Sequence, residues 1–267
     1  MKFVLVGGNG YVGRGLQAAF LRHNHEVIVI DSPDDLFDLQ GPHLRGDVIV
    51  NLVACGDKSS EYFEKDSLWW RLNIDATNHL LGLARGATMP FIFISTREVL
   101  GDVYTENDVV MNQSRFVPKW KIGEGHRPTP QNAFGRSRLV GEWLTQTYDL
   151  GYVVRLATPY SSELPAPGKG GGLVSTLITK AREGGAVGLA KGGRQVRDPV
   201  HTDDIAALLE LLVANTVPSG LYHCGHGGDN IISLREIVES ANAECEIEDE
   251  PGGDFGFVFD TTKAFER

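Results

Sequence analysis

Residues 2–13 read Lys2-Phe3-Val4-Leu5-Val6-Gly7-Gly8-Asn9-Gly10-Tyr11-Val12-Gly13, and residues 27–31 read Val27-Ile28-Val29-Ile30-Asp31. The first apolar run has the length of a buried strand. Val12, Leu16, Ala19 and Phe20 then recur at helical spacing, and the second apolar run is another strand. Between strand and helix, Gly8-x-Gly10-x-x-Gly13 provides a tight turn, a close backbone approach and close helix–strand packing. The helix amino terminus behind it offers free N–H groups and the positive end of a dipole, which is what a pyrophosphate needs. Asp31 follows the glycines by about 20 residues, where a carboxylate suits a ribose diol and repels a 2′-phosphate, so the cofactor expected is NAD rather than NADP.

Working outward, apolar strands and helical stretches continue to alternate. Strands are expected at 48–53, 90–94 and around Val153-Val154, and helices over 66–85 and from Ala133 onward. This is the pattern of a parallel sheet covered on both faces, so the fold class expected is α/β, a doubly wound parallel sheet of the Rossmann type with a small substrate-binding lobe. The dinucleotide-binding domain is placed at 1–158 and 199–222, and the lobe at 159–198 and 223–267. Residues 161–172, rich in proline and glycine, are read as a loop over a site. Ser233-x-x-Glu236 is a capping box opening a helix. The acidic stretch 244–250 is read as a solvated surface.

The 267 residues, 42% hydrophobic, can bury a full core, and a formal charge of −10 argues against nucleic acid or an anionic membrane as partner. Three cysteines, widely spaced, suit a reducing cytoplasm better than a disulfide framework. No apolar run has transmembrane length, and glycines interrupt the first one too early for a signal peptide. His223-Cys224-Gly225-His226 is spaced too tightly to close a tetrahedral metal site alone, and no metal is assigned.

Beyond the glycine cluster, Asn51-Leu52-Val53-Ala54, Asn73-Ile74-Asp75-Ala76-Thr77 and Ser95-Thr96-x-Glu98-Val99-x-Gly101 stand in order. They are followed by Gly135-x-Ser137, Arg155 before a Pro-Tyr turn, and Arg197-Asp198-x-x-His201-x-x-Asp204. Together these resemble the extended short-chain dehydrogenase/reductases, the NAD-dependent epimerase/dehydratases that act mostly on nucleotide-linked sugars. The resemblance implies a cofactor site of Gly7, Gly10, Tyr11, Val12, Gly13, Asp31, Leu52, Val53, Ala54, Asn73 and Arg138, with Asp38 and Leu39 beside the adenine. It places Thr158, Arg194 and Arg197 against the substrate, the arginines on its diphosphate. It also implies a homodimer built through a four-helix bundle, and a lobe reduced in size because the sequence stops at Arg267.

Two positions depart from that family. Its helix after the proline-rich loop begins Tyr-x-x-x-Lys; here the same positions are Phe134 and Arg138. The two residues share a helix face, but Phe134 has no proton to give and Arg138 cannot tune a neighbour by titrating, although it can still donate to a ribose. Thr96 matches the residue that bonds a substrate oxygen. Glu98 matches the base that dehydratases use on a C–H next to a ketone, whereas their acidic partner is Arg97 here.

The expected function is therefore proton transfer on a nucleotide-linked keto sugar rather than ordinary Tyr–Lys redox. One alternative is a dinucleotide-sensing or scaffold protein without catalysis. Another is a keto-sugar reductase whose proton comes from Tyr104, Lys119, Lys121 or His126.

Overall fold

The strand β1 (Lys2–Val6) buries Phe3, Val4, Leu5 and Val6 on both sides, as expected of a central strand in a sheet covered on two faces. The structure is a computed structural model that describes residues 1–31, 36–40, 44–163, 171–214, 217–241 and 244–265. With β2 (Glu26–Ile30), β3 (Val48–Asn51), β4 (Phe91–Thr96), β5 (Gly151–Leu156) and β6 (Gly220–Cys224), β1 forms a parallel sheet ordered β6-β5-β4-β3-β1-β2. Val6 pairs with Ile30 on one side and Asn51 on the other. The strand order therefore reverses at β1, and the crevice outside the carboxyl ends of β1 and β3 is the place where such sheets bind ligands.

The helices α1 (Tyr11–Arg22), α2 (Ala76–Ala87), α3 (Ala133–Gln146), α4 (Leu173–Glu183), α5 (Thr202–Ala214) and α6 (Leu234–Glu239) complete the fold. One face of the sheet packs on Leu16, Ala19 and Phe20 of α1 and Ile205, Leu209 and Leu212 of α5. Phe3 and Phe20 stack with ring centroids 3.8 Å apart. The other face takes Ala76, Leu80, Leu81 and Ala84 of α2, with Leu144 of α3 beside them. Gly13 explains how α1 comes so close to the turn before it: a Cβ there would lie 2.3 Å from the Gly8 carbonyl oxygen.

The lobe has its own core of Leu177, Ala181, Val187, Leu189, Leu234, Ile237 and Val238. The Ser233 capping box is present, with reciprocal bonds to Glu236. The acids of the acidic stretch are exposed, as expected, and Cys245–Glu250 is in addition a strand paired in parallel with Gly185–Ala190. Cys245 and Ile247 turn toward the lobe core while Glu246 and Glu248 face solvent, and two apolar residues among four acids conceal the alternation. The helix expected over 66–85 starts as a π-helical turn, Trp70–Asp75, and runs on as α2. The expected domain division is crossed by a cluster in which Phe257 and Phe259 pack on Val99, Leu100, Tyr104 and Ile122. Among the described residues no helix is long and apolar enough to cross a membrane.

Candidate active site

Two adjoining cavities follow the crevice. One, of about 190 Å³, is lined by Val6, Gly7, Gly10, Ile30, Asp31, Leu36, Leu52, Val53, Ala54 and Leu72. The second, of about 430 Å³, shares Gly7, Gly10, Leu52 and Ala54 with it and continues past Tyr11, Val12, Gly13, Thr96, Phe134 and Arg138 to Gly171 and Gly172. Gly10, the residue before α1, lines both, and only the Gly7 oxygen lies within 4 Å of where its Cβ would be, so a side chain there would project into the space. Asp31 closes the far end and accepts a hydrogen bond from the Asn9 backbone N–H at 3.1 Å, tying the glycine turn to β2. These residues fit a dinucleotide: a bare helix terminus for phosphates and a carboxylate for a diol.

Of the expected cofactor positions, Asp38, Leu39 and Asn73 line neither cavity, and Arg138 lines one. Leu36 lines the smaller cavity; Leu39 is packed into the core beneath α2, and Asp38 is exposed. Asn73 is fully buried, and it bonds the Cys55 backbone and the Ser137 hydroxyl, so it shapes the loop after β3 from behind. Arg138 does line the larger cavity, but its guanidinium donates to the Val53 carbonyl at 2.7 Å and to the Ile94 carbonyl. It also lies over the Phe93 ring, 4.0 Å from the centroid. Burial pulls its pKa down to about 9 against the pull of Glu142, so it is a cation clamped across the ends of β3 and β4.

A third cavity, of about 200 Å³, shares Thr96, Ala157, Pro159 and Gly172 with the larger one and adds Lys58, Arg97, Glu98, Thr158 and Leu173. The turn Arg97–Val99 projects Glu98 into it, capped by the Thr96 hydroxyl, which accepts the Glu98 N–H at 3.3 Å. Gly135 lets α3 approach this turn, since a Cβ there would lie 2.4 Å from the Glu98 carbonyl oxygen. Asn132 caps α3 by accepting the Gly135 N–H, and its amide donates to Glu98 Oε2 at 3.2 Å. Lys58 Nζ stands 2.7 Å from Glu98 Oε1, and Arg97 stands 3.5 Å from the same oxygen. Burial raises the Glu98 carboxyl, but Arg97, Lys58 and Asn132 outweigh it and hold the group below the usual carboxylate range. Beneath the site, Arg155 grips Glu142 through two nitrogens at 2.9 and 2.6 Å, and Ser95 donates to the same carboxylate.

The substrate positions divide. Thr158 is buried and lines the third cavity. Arg194 is exposed and lines none of these cavities, and Arg197 is buried and engaged with Asp254. The stretch read as a loop over the site includes residues 164–170, which lie outside the described residues. Among the described residues, the four expected proton donors of the connecting loop line none of these three cavities. Tyr104 donates to the carbonyls of Trp120 and Val258, with burial raising its pKa; Lys119 donates to the Asn107 carbonyl. His126 stacks on Trp120, and Lys121 borders a separate surface cavity. His223 bonds the Ile122 carbonyl and stacks on Phe259. Lys58 escaped sequence reading because it sits in a loop without periodicity; its one signal is that the loop leaves the carboxyl end of β3.

Over 304 aligned positions the chain is 24% identical to a dTDP-glucose 4,6-dehydratase of Streptomyces niveus, covering 98% of this chain and 85% of that protein. A UDP-glucose 4-epimerase of Thermus thermophilus solved with NAD has a TM-score of 0.76 at 18% identity, over 100% of this chain and 92% of that one. A dTDP-4-dehydrorhamnose reductase of Bacillus anthracis solved with NADP has a TM-score of 0.75 at 17% identity, over 97% and 90%. Those structures share the fold. Residues 3–225 match the NAD dependent epimerase/dehydratase family, and the chain belongs to that family.

Proposed function

We propose that this protein is an enzyme that binds NAD and a nucleotide-linked keto sugar and moves a proton on that sugar, with Glu98 as base and Thr96 holding the oxygen. One observation carries the reading. Glu98 and Thr96 line a cavity that shares Thr96, Ala157, Pro159 and Gly172 with the dinucleotide cavity, whose wall includes Phe134, the position that the resemblance aligns with the family's tyrosine. The relatives named above, a dTDP-glucose dehydratase and a UDP-glucose epimerase, support a nucleotide-linked sugar as the ligand class.

Bound NAD supplies a hydride donor or acceptor at its nicotinamide ring. Phe134 offers no proton to a sugar hydroxyl beside it. A positioned general acid–base contributes typically ~10²–10⁴ in rate, or roughly 3–5 kcal/mol of barrier, and its absence disfavours ordinary alcohol oxidation.

Glu98 is ionised at neutral pH because its neighbours hold its pKa down, so the form that accepts a proton is the one present. It takes the proton from the carbon next to the carbonyl, and the C–H electron pair becomes the double bond of an enolate. Thr96 accepts the Glu98 N–H and keeps its own proton free to donate to the substrate oxygen. Return of the proton regenerates the ketone.

The test is deuterium uptake from D₂O into a nucleoside-diphosphate-linked keto sugar, read by mass spectrometry. Wild-type protein incorporates deuterium, and Glu98→Gln lowers the rate by about 10²–10⁴. Unchanged uptake in that variant removes Glu98 from the chemistry.

A second reading, a dinucleotide sensor, is favoured by one observation: Arg138 is a clamp on two backbone carbonyls. A sensor gains thermal stability from NAD and none from a nucleotide sugar.

A further inference from the structure

Lys58 is placed to do what Phe134 cannot. Its ammonium lies 2.7 Å from Glu98 Oε1 and 6.0 Å from the centroid of the Phe134 ring, and about half of its side chain remains exposed. It lines the same cavity as Thr96, Arg97, Glu98 and Thr158. Of the other cations nearby, Arg97 carries a guanidinium, a far weaker acid than an ammonium, and the Arg138 guanidinium is engaged by the Val53 and Ile94 carbonyls. The Thr96 hydroxyl is a hydrogen-bond donor but a poor acid.

We propose that Lys58 is the acid of this site, giving a proton to the carbonyl oxygen of the bound keto sugar as Glu98 takes one from the adjacent carbon. This rests on the proton-transfer reading above. The C–H bond breaks, and its electron pair forms the C=C bond of an enol. The carbonyl π pair moves to oxygen, which forms an O–H bond with the Lys58 proton. Glu98 is left as a carboxylic acid and Lys58 as a neutral amine, with no oxidant or reductant required. The contact between them in the free protein then has a purpose. When the enol returns to the ketone, Glu98, its proton exchanged with solvent, gives one to carbon and Lys58 takes back the proton on oxygen. When the enol departs, the acid and the amine stand within hydrogen-bond reach, and one proton passing from Glu98 to Lys58 restores both groups.

Three variants test this in the full chain with NAD present: Lys58→Gln, Lys58→Arg and Glu98→Gln. Circular dichroism and thermal protection by NAD and the keto-sugar nucleotide confirm folding and binding. The expected result is that Lys58→Gln and Lys58→Arg each slow deuterium uptake by about 10²–10³ with binding retained. The KM for the keto-sugar nucleotide stays within about twofold in both Lys58 variants while the rate of uptake falls. Wild-type uptake in Lys58→Arg overturns the proposal, because the arginine keeps the charge but is a far weaker acid. Uptake that depends on Glu98 and not on Lys58 overturns it too, while leaving the proton-transfer reading intact. No uptake in the wild-type protein sinks both.

Discussion

Arg197 and Asp254 form a two-pronged ion pair, the guanidinium donating to the two carboxylate oxygens at 2.9 and 2.7 Å. The arginine that sequence reading assigns to a ligand diphosphate thus already holds an anion of its own chain. Burial raises the Asp254 carboxyl, and Arg197 and Arg97 together overcome that and set it below the usual range. The pair is charged at neutral pH and almost closed to solvent, with side chains 5% and 12% exposed.

Removing Asp254 strands Arg197 as a buried charge, which costs about 3–5 kcal/mol in comparable pairs. Asp254→Ala is expected to lose about that much in urea unfolding at pH 7, and Arg197→Ala less, because Arg97 remains 3.6 Å from Asp254. The double variant Arg197→Met/Asp254→Leu should recover most of the loss, because no charge is left unpaired. Because the folded pKa of Asp254 lies below its ordinary 3.8, its contribution is present above that pH and disappears as the pH falls through the folded value. Two single losses that simply add in the double variant would show that the pair is not coupled.

His223 sets a second pH dependence. Burial and the nearby Arg155 push its pKa from 6.5 down to about 3, so the folded protein holds it neutral while the unfolded chain protonates it. Below pH 6.5 the unfolded state binds the extra proton, and stability falls as the pH drops toward 3. The contribution at stake is on the order of 5 kcal/mol. His223→Asn keeps a donor for the Ile122 carbonyl and removes the titration. Its unfolding free energy should be nearly flat in pH between 6 and 4 once carboxylate effects common to both proteins are subtracted. A slope equal to wild type would assign the dependence to another group.

Gly13 and Asp31 test the cofactor cradle. Gly13→Ala places a methyl 2.3 Å from the Gly8 carbonyl oxygen, and backbone cannot yield cheaply. A loss of about 1–3 kcal/mol in stability is expected from overpacking, with NAD affinity reduced roughly tenfold or more, a difference of about 1.4 kcal/mol. Asp31→Ser removes the carboxylate that repels a 2′-phosphate, so the ratio of NADP to NAD affinity, measured by calorimetry, should rise about tenfold. An unchanged ratio would mean that Asp31 only anchors the Asn9 backbone.

The cofactor half of the site was legible because its signals are local. Glycine spacing, one helix period and two apolar runs within residues 2–31 specify β1, α1 and β2, and each works through neighbours close in sequence. The substrate half was legible only in its residue types. Glu98 could be named, but not its partner 40 positions earlier, and Arg197 could be named, but not Asp254 57 positions later. Asp38 and Leu39 were named by resemblance and Leu36 was not, because which residue of a short segment lines the cavity depends on how that segment packs beneath α2.

By itself the sequence determined the parallel sheet, the glycine turn at its crevice, the carboxylate at the end of β2 and a side chain without a transferable proton at Phe134. Periodicity and side-chain chemistry are written residue by residue, and no distant contact is needed to read them. Only the tertiary structure decided that Arg138 clamps two strand ends, that Arg197 is already engaged, and that Lys58 reaches Glu98. Those pairings depend on loops brought together by the packed sheet, and electrostatic partnership is a matter of distance in space, which a linear chain does not specify.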